Sequence, residues 1–145
     1  MISQKSKYAL RALLALARVA PGETMRIAAI AARETIPKKF LEQILLELKR
    51  AGMVSSRRGR TGGYELLRAP EEIMYGEVLR LIDGPLAPLP CLSKIAYRKC
   101  ADCQSEADCE IRHVFERVTL ATRAVLDQTS LADSLNLEDL PEEAA

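Results

Sequence analysis

The sequence predicts a mainly α-helical fold with one small β-hairpin and a long helix near the C-terminus. Three observations predict it. Apolar residues recur at helical spacing through most of the chain, two short alternating segments flank a single turn rich in glycine and arginine, and charge divides sharply along the length. The 145 residues suffice for one buried core with an appended element and are too few for two full-sized domains. With 48% apolar and 28% charged residues, the chain is neither disordered nor collagen-like. Residues 1–68 carry fourteen Lys and Arg against five Asp and Glu, a net of +9, whereas residues 69–145 carry seven against fifteen, a net of −8. This asymmetry suggests that the first half meets a polyanion and that the second has another task.

The elements follow in order. Over residues 3–19, Leu10, Leu13, Leu14 and Ala17 form a helical stripe with Lys7, Arg11 and Arg18 outside it. Arg11 and Arg18 interrupt the apolar run, which is too short for a secretory signal or a membrane span, so a cytoplasmic protein without membrane contact is expected. Pro21-Gly22 breaks the chain, Thr24 can cap a short second helix, and Ile27, Ile30 and Ala31 give that helix one buried face. After the turn Glu34-Thr35-Ile36, Pro37 suits the first position of a third helix with Leu41, Ile44, Leu45 and Leu48 inward, and Gly52 stops it. Two helices joined by a tight turn, the second with a basic start, make a helix-turn-helix pattern. Residues 53–57 and 64–67 pair as a hairpin around the cationic tip Arg58-Gly59-Arg60-Thr61-Gly62-Gly63, which in this position is a wing. Pro70 opens a further helix with Ile73, Val78, Leu79 and Ile82 packed, closed by Asp83-Gly84-Pro85. Pro85, Pro88 and Pro90 make a stiff connector. Residues 91–109 show no sustained hydrophobic period and hold all four cysteines, so their order must come from something other than a core. From Glu110, the residues Ile111, Val114, Phe115, Val118, Ala121 and Val125 recur every three to four positions on a long helix whose stripe has no obvious partner in so short a chain; a two-fold mate would supply one. Ser130-Leu131-Ala132-Asp133 can begin a final turn, and 141–145 reads as a frayed acidic tail. The expected organisation is a winged helix-turn-helix over 1–84, connector and cysteine loop over 85–109, a dimerisation helix over 110–129 and a tail over 130–145.

Chemistry concentrates in two places. Lys38, Lys39, Phe40 and Gln43 lie at the start of the third helix, and Lys39 and Gln43 share a face, placing a cation and an amide where a recognition helix meets phosphates and base edges. In the wing, Gly59, Gly62 and Gly63 let the backbone approach a phosphate or a minor groove, flanked by Thr61, while Arg57, Arg58 and Arg60 neutralise charge. A solvated helix face or a flexible turn is the bland alternative for each element alone; their succession favours duplex DNA. The thiols are spaced Cys91-x8-Cys100-x2-Cys103-x5-Cys109. In a reducing compartment such a set points to an iron-sulfur cluster, with structural zinc, metal-free thiol sensing and, least of all, thioredoxin-like chemistry as alternatives. A single histidine, His113, and the absence of a nucleophile elbow or phosphate loop argue against an enzyme.

The segments Ser6-Lys7-Tyr8-Ala9-Leu10-Arg11-Ala12-Leu13, Phe40-Leu41-Glu42-Gln43-Ile44-Leu45, Leu48-Lys49-Arg50-Ala51-Gly52-Met53-Val54-Ser55-Ser56 and Arg58-Gly59-Arg60-Thr61-Gly62-Gly63-Tyr64, with Gly76-Glu77-Val78-Leu79-Arg80 and Cys109-Glu110-Ile111-Arg112-His113-Val114-Phe115, resemble the Rrf-two family of bacterial winged-helix regulators over about residues 1–135. The resemblance implies a homodimer on a partly palindromic operator, with the third helix in the major groove and the wing beside it. It also implies a cluster, two-iron or four-iron, between dimer helix and reader. The interval from Cys103 to Cys109 matches the family pattern, whereas Cys91 is displaced and Cys100 is additional. Arg112 stands where some relatives have a ligating histidine, with His113 one residue late, and Lys7 stands where others have a carboxylate. A fourth thiol can replace the missing ligand. The leading expectation is a dimeric transcription regulator whose cysteine loop senses iron, cluster supply, nitric oxide or redox state; a thiol- or metal-handling module that docks on a protein is the other class.

Overall fold

A computed structural model describes residues 2–136 of the chain. Helix α1 (Gln4–Ala17) begins where the Ser3 hydroxyl accepts the Ser6 amide at 3.0 Å. It is buried on more sides than the predicted stripe requires: Ala9, Ala12, Ala15 and Leu16 are inside along with Leu10 and Leu13, while Leu14 and Ala17 are half-buried. The reason is that α1 is the central post, packed by four other helices and a strand of the hairpin.

Helix α2 (Ile27–Glu34) is capped by Arg26 without a side-chain bond, and not by Thr24. Met25 forms an antiparallel bridge with Tyr64, and this extended backbone postpones the helix by two residues. After Thr35 in the left-handed region and buried Ile36, Pro37 is the cap and not the first helical residue of α3 (Lys38–Arg50). Leu41, Ile44, Leu45 and Leu48 face the core as expected. Gly52, at φ +75°, lets α3 end in a Schellman turn in which the Gly52 and Met53 amides reach the Lys49 and Leu48 carbonyls, both at 3.0 Å.

Strands β1 (Val54–Arg57) and β2 (Gly63–Leu66) pair antiparallel with Val54 opposite Leu66 and Arg57 opposite Gly63. The helix expected from Pro70 is interrupted. A 3₁₀ turn spans Pro70–Glu72, Ile73 and Met74 are extended, and α4 (Tyr75–Asp83) follows. Met74 bridges Ser130, the Tyr75 amide donates to the Thr129 carbonyl at 2.9 Å, and the Leu131 amide donates to the Ile73 carbonyl at 3.0 Å. A continuous helix cannot offer those groups. Beyond these contacts α6 (Leu131–Leu135), started by a Ser130–Asp133 capping box, buries Leu131 completely against the core that α1 and α3 build. The acidic end of the tail lies outside the described residues.

The proline connector is not extended throughout, since Pro90–Leu92 is a 3₁₀ turn with Cys91 and Leu92 buried. Helix α5 (Glu110–Leu126) ends three residues short of the expected 129. Its stripe of Ile111, Val114, Phe115, Val118 and Val125 is exposed, and the contacts of α5 with the rest of the chain leave that face uncovered. Among the described residues no helix is long and apolar enough to cross a membrane.

Candidate nucleic-acid interface and thiol cleft

The three-residue turn from α2 to α3 sets the start of α3 outward: Lys38, Lys39 and Gln43 are exposed, and none makes a side-chain hydrogen bond or ion pair among the described residues. Their polar ends are therefore available to phosphate and base edges. Phe40 differs from its neighbours. It is half-buried with its ring edge-to-face on Tyr8 at 5.6 Å, so it fixes α3 against α1.

The wing tip is held by the residues just before α2. The Arg26 guanidinium donates to the Gly59 and Arg60 carbonyls at 3.1 and 3.0 Å, and the Thr24 hydroxyl donates to the Thr61 carbonyl at 2.7 Å. These bonds join the tip to the base of the helix-turn-helix. Arg58 and Arg60 remain exposed and unpaired among the described residues, whereas Arg57 is clamped by both oxygens of Glu65, each bond 3.0 Å. Arg57 thus braces the hairpin and is not a free cation. Glycine is required at 62 and 63 inside the protein: a Cβ at Gly62 would lie 2.7 Å from the Arg57 and Gly59 carbonyl oxygens, and one at Gly63 would lie 2.7 Å from the Met25 backbone. Only Gly59 among the three faces open space.

The second site is a cleft of about 480 Å³ between the connector and the first turn of α5. Cys91, Cys100, Cys103 and Cys109 all line it, and all four are free thiols. The 3₁₀ turn fixes Cys91, the Cys103 amide closes a turn on the Cys100 carbonyl at 3.2 Å, and Cys109 caps α5 with its sulfur accepting the Arg112 amide at 3.4 Å. Partial desolvation, and then the negative potential of Cys91, Asp102, Cys103 and Cys109, push the Cys100 thiol up from its ordinary range even though the side chain is exposed. Tyr97 donates to Glu106 across the loop. His113 and Lys7 are exposed and do not line the cleft. Among the described residues no three His, Cys, Asp or Glu side chains stand close enough to enclose a metal ion. The donor set fits a thiolate-held cluster in chemistry, since four soft ligands line one cleft.

The cleft is tied to the reader. Arg123 of α5 donates to the Leu92 carbonyl, next to Cys91, at 2.9 Å. One turn further, just beyond the C-terminal end of α5, Asp127 pairs with Arg80 of α4 at 2.6 and 2.9 Å. Arg80 holds the Asp127 carboxyl below the usual carboxylate range. Gly76 makes room for that pair, because a Cβ there would lie 2.1 Å from the Asp127 Oδ1. At the far end of α4, Asp83 accepts both the Ser3 amide, at 2.9 Å, and the Ser3 hydroxyl at the start of α1. Of these linking groups, Arg26, Arg123 and Asp127 carry no local signal in the sequence, whereas Thr24, Gly76, Arg80 and Asp83 are marked there for other reasons.

A helix-turn-helix with a clamped basic wing defines a DNA-binding transcription regulator. The chain belongs to the Rrf2 family, described as an iron-dependent transcriptional regulator, whose pattern matches residues 2–136. It is 51% identical over 138 residues to an rrf2-like HTH-type transcriptional regulator of Rhodobacter capsulatus, covering 93% of this chain and 92% of that protein. It is 34% identical to the HTH-type transcriptional regulator NsrR of Bacillus subtilis, covering 96% and 93%. Among solved structures it is similar to CymR, the global cysteine regulator of B. subtilis, with a TM-score of 0.79 at 29% identity over 94% of this chain and 97% of that one. It is also similar to T. potens IscR, with a TM-score of 0.71 at 28% identity over 100% and 91%.

Proposed function

We propose that this regulator is a homodimer whose affinity for a two-fold operator is set by the state of the thiol cleft. The observation that carries the reading is that all four cysteines line one cleft, one wall of which is the first turn of α5. Cys91, Cys100, Cys103 and Cys109 would hold an iron-sulfur cluster within one subunit, two-iron in the first instance. Such a cluster supplies reversible one-electron chemistry and sensitivity to oxidants and nitric oxide. Residues 1–84, with 130–135 folded back on them, are the reader; 85–109 is the sensor; 110–129 carries the dimer contact.

The exposed stripe on α5 supports a second copy as its cover, since six large apolar side chains of that helix are exposed in the single chain. In the dimer, Lys38, Lys39 and Gln43 address the major groove, and Arg58, Gly59 and Arg60 the adjacent groove and phosphates. Phe40, Arg57, Gly62 and Gly63 serve binding by holding these elements in place, with Thr61 receiving the Thr24 hydroxyl. Drawing Cys91 toward the loop pulls on Leu92, Arg123 and α5, and the Arg80–Asp127 pair passes a change in α5 to α4 and the reader. A ligand at the cleft shifts DNA affinity only in so far as it prefers one placement of α5 over the other.

Anaerobic purification with visible absorption and counts of iron, sulfide and zinc tests this. Iron and sulfide, lost in a Cys103→Ala variant together with a change in operator affinity, is the expected result. Stoichiometric zinc, or DNA affinity indifferent to the thiols, refutes the sensing role and leaves the DNA reader.

A further inference from the structure

Among the described residues, two buried side-chain polar atoms lack a hydrogen-bond partner: the Ser6 hydroxyl in the core of the reader, and Nε of Arg112. The second is the more demanding, because a guanidinium is always charged and a buried donor without an acceptor is costly. Arg112 lines the thiol cleft. Its Nη1 reaches Glu116 at 3.7 Å, which occupies the far end of the guanidinium and leaves Nε over. Residues three apart on a helix share a face, and Cys109 stands three residues before Arg112, its sulfur already accepting the Arg112 backbone amide. The carboxylates of the cleft are weaker candidates for the missing acceptor: Glu106 is engaged by Tyr97, and Asp102 and Asp108 are exposed to water. Four thiolates round ferric iron make an anion in a partly desolvated space, and Arg112 is the one cation lining it among the described residues.

From this we infer that Arg112 is a positioning and charge-compensating residue whose Nε–H hydrogen-bonds a cysteine sulfur of the assembled cluster and raises its reduction potential. The inference rests on the cluster reading above. A cationic donor stabilises the reduced form, which carries one more negative charge, over the oxidised form.

The test is a spectroscopic redox titration of the anaerobically purified full chain, with R112K, R112Q and R112L, alongside cluster loss to a chelator and thermal unfolding of each variant. R112L should hold the added electron at least tenfold less tightly, a drop of about 59 mV for a one-electron couple. R112K should recover part of that drop, and R112L should release iron faster. An R112L cluster with the wild-type potential overturns the inference and leaves the cluster reading intact. Loss of the cluster from all three variants overturns it in favour of ligation or scaffolding by Arg112. Wild-type protein without iron and sulfide overturns the cluster reading, and this inference with it.

Discussion

Replacing Gly63 with alanine probes how the wing is attached. Gly63 has φ +145°, and the new Cβ would meet the Met25 carbonyl carbon and oxygen at 2.7 Å and the Arg26 nitrogen at 3.0 Å. All three are backbone atoms, so no side chain can swing away. Relief requires the 24–26 segment to part from β2, which breaks the reciprocal Met25–Tyr64 bonds of 2.9 and 2.8 Å. Two hydrogen bonds at about 1 kcal/mol each, with about 1 kcal/mol of residual backbone strain, give a loss of about 3 kcal/mol. With a urea dependence of about 2 kcal/mol per molar, the midpoint should fall by about 1.5 M at fixed protein concentration. Gly59→Ala is the control, since its Cβ meets nothing within 4 Å and costs only the positive-φ strain of about 1–2 kcal/mol. Operator affinity should fall more in Gly63→Ala than in Gly59→Ala. Equal midpoints for the two variants refute the claim that the hairpin is locked onto the backbone at Met25.

Lys39→Ala should weaken binding to all duplexes and reduce the slope of log K against log salt by about 0.9, while Gln43→Ala should relax preference at one base pair by about 1–3 kcal/mol, both read by fluorescence anisotropy. Val118→Asp, in the middle of the exposed stripe of α5, should convert the proposed dimer to monomer in sedimentation without lowering the melting temperature of the reader. The Asp127 carboxyl is held below its ordinary value by the hydrogen bond from Arg80, so its contribution to stability is complete above about pH 4 and is lost as pH falls through the depressed value. The stability difference between wild type and Asp127→Asn, limited by solvent to about 1 kcal/mol, should therefore be constant from pH 7 to about pH 4 and shrink below it in urea titrations.

Much of the architecture was legible because its causes are local. The period of Leu41, Ile44, Leu45 and Leu48, the stop at Gly52, the glycines and arginines between two alternating segments, and the uncovered stripe from Ile111 to Val125 each follow from a rule acting within a few residues. Charge division was legible in the same way and pointed to DNA, and the thiol spacing placed four cysteines within one short segment.

Local rules failed where a distant segment claimed the backbone or side chain. Thr24 has the right chemistry for a helix cap, but Met25 beside it is recruited by Tyr64, 39 positions away in the numbering, and the Thr24 hydroxyl goes to the wing. Pro70 starts a turn as expected, yet the helix breaks because Ile73, Met74 and Tyr75 give their backbone groups to Ser130 and its neighbours. Arg57, expected to neutralise charge in the wing, is bonded by Glu65 across the hairpin, a partner that sequence proximity does not announce.

By itself the sequence determined which segments are helices, where the basic wing and the long helix fall, and that four thiols occur together. Only the tertiary structure decided that Arg26 clamps the wing, that Cys91 joins three cysteines of a coreless loop in one cleft, and that Arg112 brings an unanswered donor to it. The division has one physical origin. Periodicity and capping are set by the next turn of chain, whereas burial, pairing and unsatisfied donors depend on which remote residues the folded path brings within about 3 Å.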